Sequence, residues 1–361
     1  MFLRATLAAA TLALCLGLSS QLLTAAEMPL DVSISFEKTT LNGAEPVILK
    51  FSLTNPGTDP VSVLSWDIPG PNGAFADQFI VKFKGYQVEY IGKLAKRRAP
   101  IPSDFIEILP GQSLTSEYNL RTAYNISEGG TYAVHFSDKI HAYTGSSNGM
   151  SLDKAPGIQG TYVSNVLEIS IDKSPRLSRE GGLESRYLRD ISGCDENQSN
   201  ILKSVEPSAS LIASKAEDWL INNPEGGDIF ETWFGSDNKS RFIKVRKNFV
   251  KIAHAFQNKP VRFDCGSCSD KKETYAQVSP NKPYLIEICG AFWKQPDTGE
   301  NSKAGTLVHE MSHFKVVANT DDDEYGVEKC KVLAAENPRS AIKNADNYEF
   351  FSEGFFAVPS P

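Results

Sequence analysis

The stretch Thr306-Leu-Val-His-Glu-Met-Ser-His-Phe314 decides how the rest of the chain is read. On an α-helix, positions i and i+4 stand one turn apart on the same face, so His309 and His313 present their imidazoles together. Two imidazoles at that spacing hold one zinc ion, and Glu310 then lies beside the attacking water as a general base. Leu307, Val308 and Phe314 give the helix a buried side, and Thr306 is its predicted N-cap. A catalytic zinc takes three protein ligands and keeps one position open. The chain has only His135, His141, His254, His309 and His313, and the longer H-E-x-x-H-x-x-G-x-x-H pattern is absent. The third ligand is therefore expected to be a carboxylate. Candidates lie just downstream in Asn319-Thr-Asp-Asp-Asp-Glu-Tyr-Gly326, a run that also reads as a solvated turn or as negative charge at a helix N-terminus.

Around that helix the texture is α-rich. Ile201, Val205, Leu211, Ile212, Ala216 and Trp219 recur at helical spacing, as do Phe242, Val245, Phe249 and Ile252. A short β region over 275–289 and helices from about Ala304 onward complete an α+β zincin-like second domain. Residues 31–172 differ: Val32-Ser-Ile-Ser-Phe36, Phe79-Ile-Val-Lys-Phe83 and Thr131-Tyr-Ala-Val-His-Phe136 alternate with period two and are punctuated by Gly and Pro. Several such strands predict an all-β, immunoglobulin-like sandwich. No catalytic constellation stands out there, and Lys93, Lys96, Arg97 and Arg98 read as a solvated loop. Between the halves, 173–190 mixes Gly, Pro and basic residues and reads as an exposed linker open to proteolysis.

The 361 residues suit two domains, and a net charge of −7 argues against a nucleic-acid partner. The run from Leu7 to Leu18, after Arg4, is too short for a membrane span of about 20 residues. With Thr24-Ala25-Ala26 following, it predicts a signal peptide over 1–26, hence secretion and no membrane attachment once the leader is removed. Cys15 leaves with it. The remaining Cys194, Cys265, Cys268, Cys289 and Cys330 all lie in the second half. In an exported chain they read as disulfides rather than as a four-cysteine zinc site, with one thiol left over.

The chain resembles the aspzincin metallopeptidases, that is deuterolysin and, more closely, the peptidyl-Lys metalloendopeptidases. Their signature joins H-E-x-x-H to a later G-T-x-D-x-x-Y-G, matched here by Asn319-Thr320-Asp321-Asp322-Asp323-Glu324-Tyr325-Gly326 with Asn319 in place of the first Gly. Thr232-Trp-Phe-Gly235, Cys289-Gly-Ala-Phe-Trp-Lys294 and Asn344-Ala-Asp-Asn-Tyr-Glu-Phe-Phe-Ser-Glu353 extend the likeness over about 192–353. The resemblance implies one zinc per chain on His309, His313 and Asp322, with Glu310 as base and Tyr325 as oxyanion donor. It implies the bridges Cys194–Cys265 and Cys268–Cys289, leaving Cys330 free. It also implies that Asp346 and Glu349 bind the lysine following the scissile bond, setting preference rather than performing chemistry.

The expectation is a secreted zinc endopeptidase acting on proteins or peptides, with lysine at P1'. It is made as a zymogen whose residues 27–172 serve as inhibitor and folding aid, released by cleavage in 173–190 from a catalytic domain over 191–361. Two alternatives stay open: a gluzincin-type peptidase with Glu328 or Glu336 as third ligand, and an exported binding or adhesion protein with an inactive zincin domain.

Overall fold

The computed structural model describes residues 29–43, 45–70, 76–145, 160–172, 191–236 and 238–355. The expected leader over 1–26 and linker over 173–190 lie outside them. Among the described residues no helix is long and apolar enough to cross a membrane.

Residues 29–172 are β-rich, as their alternation predicts. One antiparallel sheet runs Asp31–Phe36, Ile48–Thr54, Ser113–Asn119, and a second centres on Gly130–Lys139 between Leu167–Ile171 and Phe79–Phe83. A third joins Ala142–Thr144, Val61–Leu64 and Phe105–Ile108. Strands with one apolar face must bury it, and Leu49, Phe51, Phe79, Val81, Val134 and Phe136 meet in a common core. Phe79 stacks on Tyr118 with ring centroids 5.5 Å apart.

The second half is helical: α1 (Glu196–Asn222), α2 (Asp228–Phe234), α3 (Lys239–Asn258), α4 (Lys303–His313), α5 (Val327–Glu336), α6 (Pro338–Ala341) and α7 (Ala345–Glu353). The apolar faces of α1, α3, α4 and α7 share a core that includes Ala209, Ile212, Phe249, Leu307 and Phe351. Cys194–Cys265 and Cys268–Cys289 are bridged and Cys330 is free and buried, as the resemblance implies. Beside the helices lies a five-stranded sheet in the order Ile191–Ser192, Arg262–Asp264, Leu285–Ile288, Thr274–Val278, Leu94–Arg97. Its last strand comes from the first half of the chain. Leu94–Arg97 pairs antiparallel with Thr274–Val278, setting Ala95 opposite Gln277 and Lys96 opposite Ala276. That pairing corrects the reading of this segment as a solvated loop: Lys96 is fully buried and Arg97 nearly so. A run of cations looks solvated until a partner supplies counter-charge, and for Lys96 the partners are Asp346 and Glu349, some 250 residues away.

Candidate active site

The site begins with the cap of α4. Ser302, not Thr306, is the N-cap, its Oγ accepting from Gly305 N at 2.9 Å. Thr306 lies one turn inside, its N–H donating to Ser302 O at 2.9 Å. All eleven residues of α4 are buried, which is why the segment is apolar. α7 crosses it where Gly305 has no side chain: a Cβ there would fall 1.9 Å from Glu353 Oε1. This close approach puts the first turn of α7 against the histidine face.

His309 and His313 stand one turn apart with their Nε2 atoms 3.0 Å from each other. The chain then turns back through Asn319, whose φ of 53° is left-handed. Gly takes that conformation freely and Asn tolerates it, so the departure from the family's Gly keeps the turn. Thr320 O accepts the His313 Nδ1 proton at 3.0 Å, leaving the lone pair on Nε2. Two residues on, Asp322 Oδ1 lies 3.0 Å from His309 Nε2 and 3.4 Å from His313 Nε2. Asn344 clamps this loop, its Oδ1 accepting from the backbone N–H of Asp323 and Glu324.

This donor set fits a metal ion. Two imidazole nitrogens and a carboxylate oxygen converge in a buried place, and Asp322 Oδ1 has no hydrogen-bond partner. Nitrogen and oxygen donors in that number suit zinc with one position open. Glu328 is exposed and paired with Lys331, and Glu336 is exposed on α5, so neither stands in for Asp322. His309, Asp346 and Glu349 also gather closely, but the Lys96 ammonium already sits between those carboxylates.

Lys96 connects the two halves. Its Nζ lies 3.0 Å from Asp346 Oδ1 and 2.5 Å from Glu349 Oε2, with all three side chains essentially inaccessible. Its backbone N–H donates to Glu310 Oε1 at 3.2 Å. The preceding carbonyl, Ala95 O, accepts from Tyr325 Oη at 2.8 Å, and Ala95 N donates to Asp322 Oδ2 at 3.1 Å. Asp346 makes further contacts that the sequence did not suggest: Oδ1 lies 2.8 Å from His309 Nδ1, while Oδ2 accepts from Gly326 N.

Burial is the largest influence on each of these groups. It pushes Glu310 up to about 7 against the pull of both histidines, and a carboxyl with a value near neutrality is suited to taking and returning a proton. Burial lowers Lys96, but Asp346 and Glu349 together outweigh it and raise the ammonium above its ordinary value. For Asp346 burial raises and Lys96 and His309 lower, and the lowering wins.

All the site residues expected from sequence converge here: His309, His313, Asp322, Glu310, Tyr325, Asp346 and Glu349. Sequence reasoning missed Ala95 and Lys96. Leu94-Ala-Lys-Arg97 carries one usable signal, an Ala–Lys bond in a chain that resembles lysine-directed peptidases.

A profile of the family described as "Lysine-specific metallo-endopeptidase" matches residues 220–353. The chain is 35% identical over 316 residues to an "Extracellular protease" of Aeromonas hydrophila, covering 86% of this chain and 88% of the relative. It is 31% identical over 338 residues to a "Peptidyl-Lys metalloendopeptidase" of Armillaria mellea, covering 87% and 90%. Among solved structures, a zinc peptidase from Grifola frondosa is 36% identical and covers 45% of this chain and 99% of that one, with a TM-score of 0.43. The likeness to the first two relatives runs through both halves of the chain, and the protein belongs to the aspzincin metalloendopeptidase family.

Proposed function

We propose that the protein is a secreted zinc endopeptidase that cuts on the N-terminal side of lysine and is made as a zymogen. In this reading the N-terminal region, an immunoglobulin-like sandwich, is its inhibitor. One observation carries the proposal: a lysine of the chain itself lies between Asp346 and Glu349, with the peptide bond preceding it held by Tyr325 and Glu310.

His309, His313 and Asp322 would hold the zinc, one ion per chain. The chemistry that ion supplies when bound is Lewis-acid polarisation of a carbonyl and acidification of water. Glu310 takes the proton of the attacking water and hands it to the departing amide nitrogen, which sits where Lys96 N now donates to its carboxylate. Tyr325 donates to the oxygen on which negative charge grows, a contact typically worth about 3 kcal/mol. Asp346 and Glu349 grip the ammonium of the incoming lysine. Arginine has the same charge on a broader planar head, which a pocket enclosing one ammonium rejects. The Thr274–Val278 edge aligns the substrate backbone as an added strand.

The test is to digest a mixed proteome with the matured enzyme and read the new N-termini. Lysine should dominate them, and Glu310→Gln should abolish cutting while the metal stays bound. An even spread of N-terminal residues would end the lysine claim, and loss of metal from that variant would make Glu310 structural.

A further inference from the structure

We propose that Ala95–Lys96 is a reactive bond: the N-terminal region lies in the cleft as a bound substrate rather than as a steric plug, and the catalytic half hydrolyses that bond within its own molecule. The inference rests on the proposed function and names its first substrate, a segment of this same chain.

The orientation of the segment carries the argument. A plug need only fill space, yet each end of this one peptide bond meets the partner its hydrolysis requires. The carbonyl oxygen accepts from Tyr325 at 2.8 Å, and the nitrogen donates to Glu310 at 3.2 Å. The side chain after the bond fills the acidic pocket, and the strand runs antiparallel to the sheet edge, as an added peptide strand does. No other register does this: Lys93 is held outside by Glu287 at 2.6 Å, and Arg98 is turned back onto Asp104.

The step balances with water alone. Hydroxide adds to the Ala95 carbonyl carbon and the Ala95–Lys96 C–N bond breaks. Ala95 is left as a carboxylate, and the Lys96 nitrogen becomes an ammonium by taking two protons, the one that Glu310 carries from the water and the one that the new Ala95 carboxylic acid gives up. Both new ends stay anchored. On one side Asn281 Nδ2 donates to Tyr90 O at 2.7 Å and Lys93 pairs with Glu287. On the other, Lys96 keeps its two carboxylates and Arg98 N donates to Glu273 O at 3.5 Å. The cut chain therefore stays docked, and this cut by itself does not release the inhibitor.

The experiment follows zinc-loaded full-length protein over days by mass spectrometry under denaturing conditions, with N-terminal sequencing, and in parallel offers a lysine peptide to the matured enzyme. A fragment beginning at Lys96 should appear at the same fractional rate over a hundredfold dilution. It should co-purify with its other half under native conditions and be absent from Glu310→Gln. Cutting of that peptide by the matured enzyme with no N-terminus at Lys96 in the full-length protein would overturn this inference and leave the proposed function standing. Cutting of neither would bring down both. A readout independent of activity is amide exchange of 274–278 in the Glu310→Gln background. Adding Lys96→Met should speed it at least tenfold, and unchanged exchange would mean that the lysine does not seat the strand.

Discussion

Asp346 and Glu349 share the Lys96 ammonium but not the same surroundings, and their substitutions should separate. Glu349→Gln removes one charge from a buried grip, so kcat/KM for lysine substrates should fall by roughly a hundredfold, in the range typical of a buried charge pair losing a member. Metal content should not change. Asp346→Asn should also weaken the metal, because Asp346 lies against His309 Nδ1 and such outer partners typically contribute about 10–100-fold in affinity. Competition with a chelator, read beside specificity, separates the two variants, and equal metal affinity would remove the second role of Asp346. In the sequence the resemblance implies only a specificity role for the pair; i and i+3 spacing places both carboxylates on one face of α7 but says nothing of what stands opposite.

At the scale of elements, α4 and α7 are joined by Glu353, which accepts from Ser302 N at 2.8 Å, Ser302 Oγ at 2.7 Å and Asn301 N at 3.0 Å. Burial, with Glu349 adding to it, pushes this carboxyl from about 4.5 to about 8 despite those donors. The native state then binds more protons than the unfolded chain between those values, so its contribution to stability falls as pH rises through that window. Glu353→Gln, which keeps an acceptor for the Ser302 donors, should flatten that decline in a series of melting curves. A slope identical to wild type would show that Glu353 does not titrate there. The helices themselves were legible in the sequence. Phe242, Val245, Phe249 and Ile252 mark one face of α3, and the histidine pair marks α4. What failed was the cap at Thr306, because a hydroxyl before an apolar run is only a local signal. It was outcompeted by Ser302, whose oxygen also meets Glu353 from 51 residues away. The Leu94–Arg97 strand was illegible for the same reason, since an edge strand of four residues takes its identity from its partner.

At the scale of the whole molecule, the two halves also meet at His141, whose Nδ1 lies 2.8 Å from Asp67 and Nε2 3.3 Å from Glu324. Burial lowers this imidazole, yet the two carboxylates together lift it well above its ordinary 6.5. A raised cation contributes stability that is complete below about 6.5 and lost as pH climbs through the raised value. Asp138, pushed up to about 7 chiefly by burial, weakens the native state over the rise from about 3.8. Lys139 pairs with Asp323 nearby at 3.8 Å. The contact between the halves should therefore loosen toward alkaline pH. In the Glu310→Gln background, protection of the 94–97 amides relative to their intrinsic base-catalysed exchange should fall as pH climbs above about 6.5, and His141→Gln should remove most of that dependence. A flat profile in the parent would show that the contact does not depend on these groups. The pairing of Leu94–Arg97 with Thr274–Val278 has one more consequence. A sheet edge reads main chain, and main chain can be read only where it lies straight and bare for several residues. A lysine coiled into a helix offers neither, because its amides and carbonyls are already spent on their own turn. The enzyme should thus be nearly blind to lysine-rich helical proteins while they are folded and voracious once they melt. Its cutting rate across a substrate's melting transition would trace that substrate's unfolding curve.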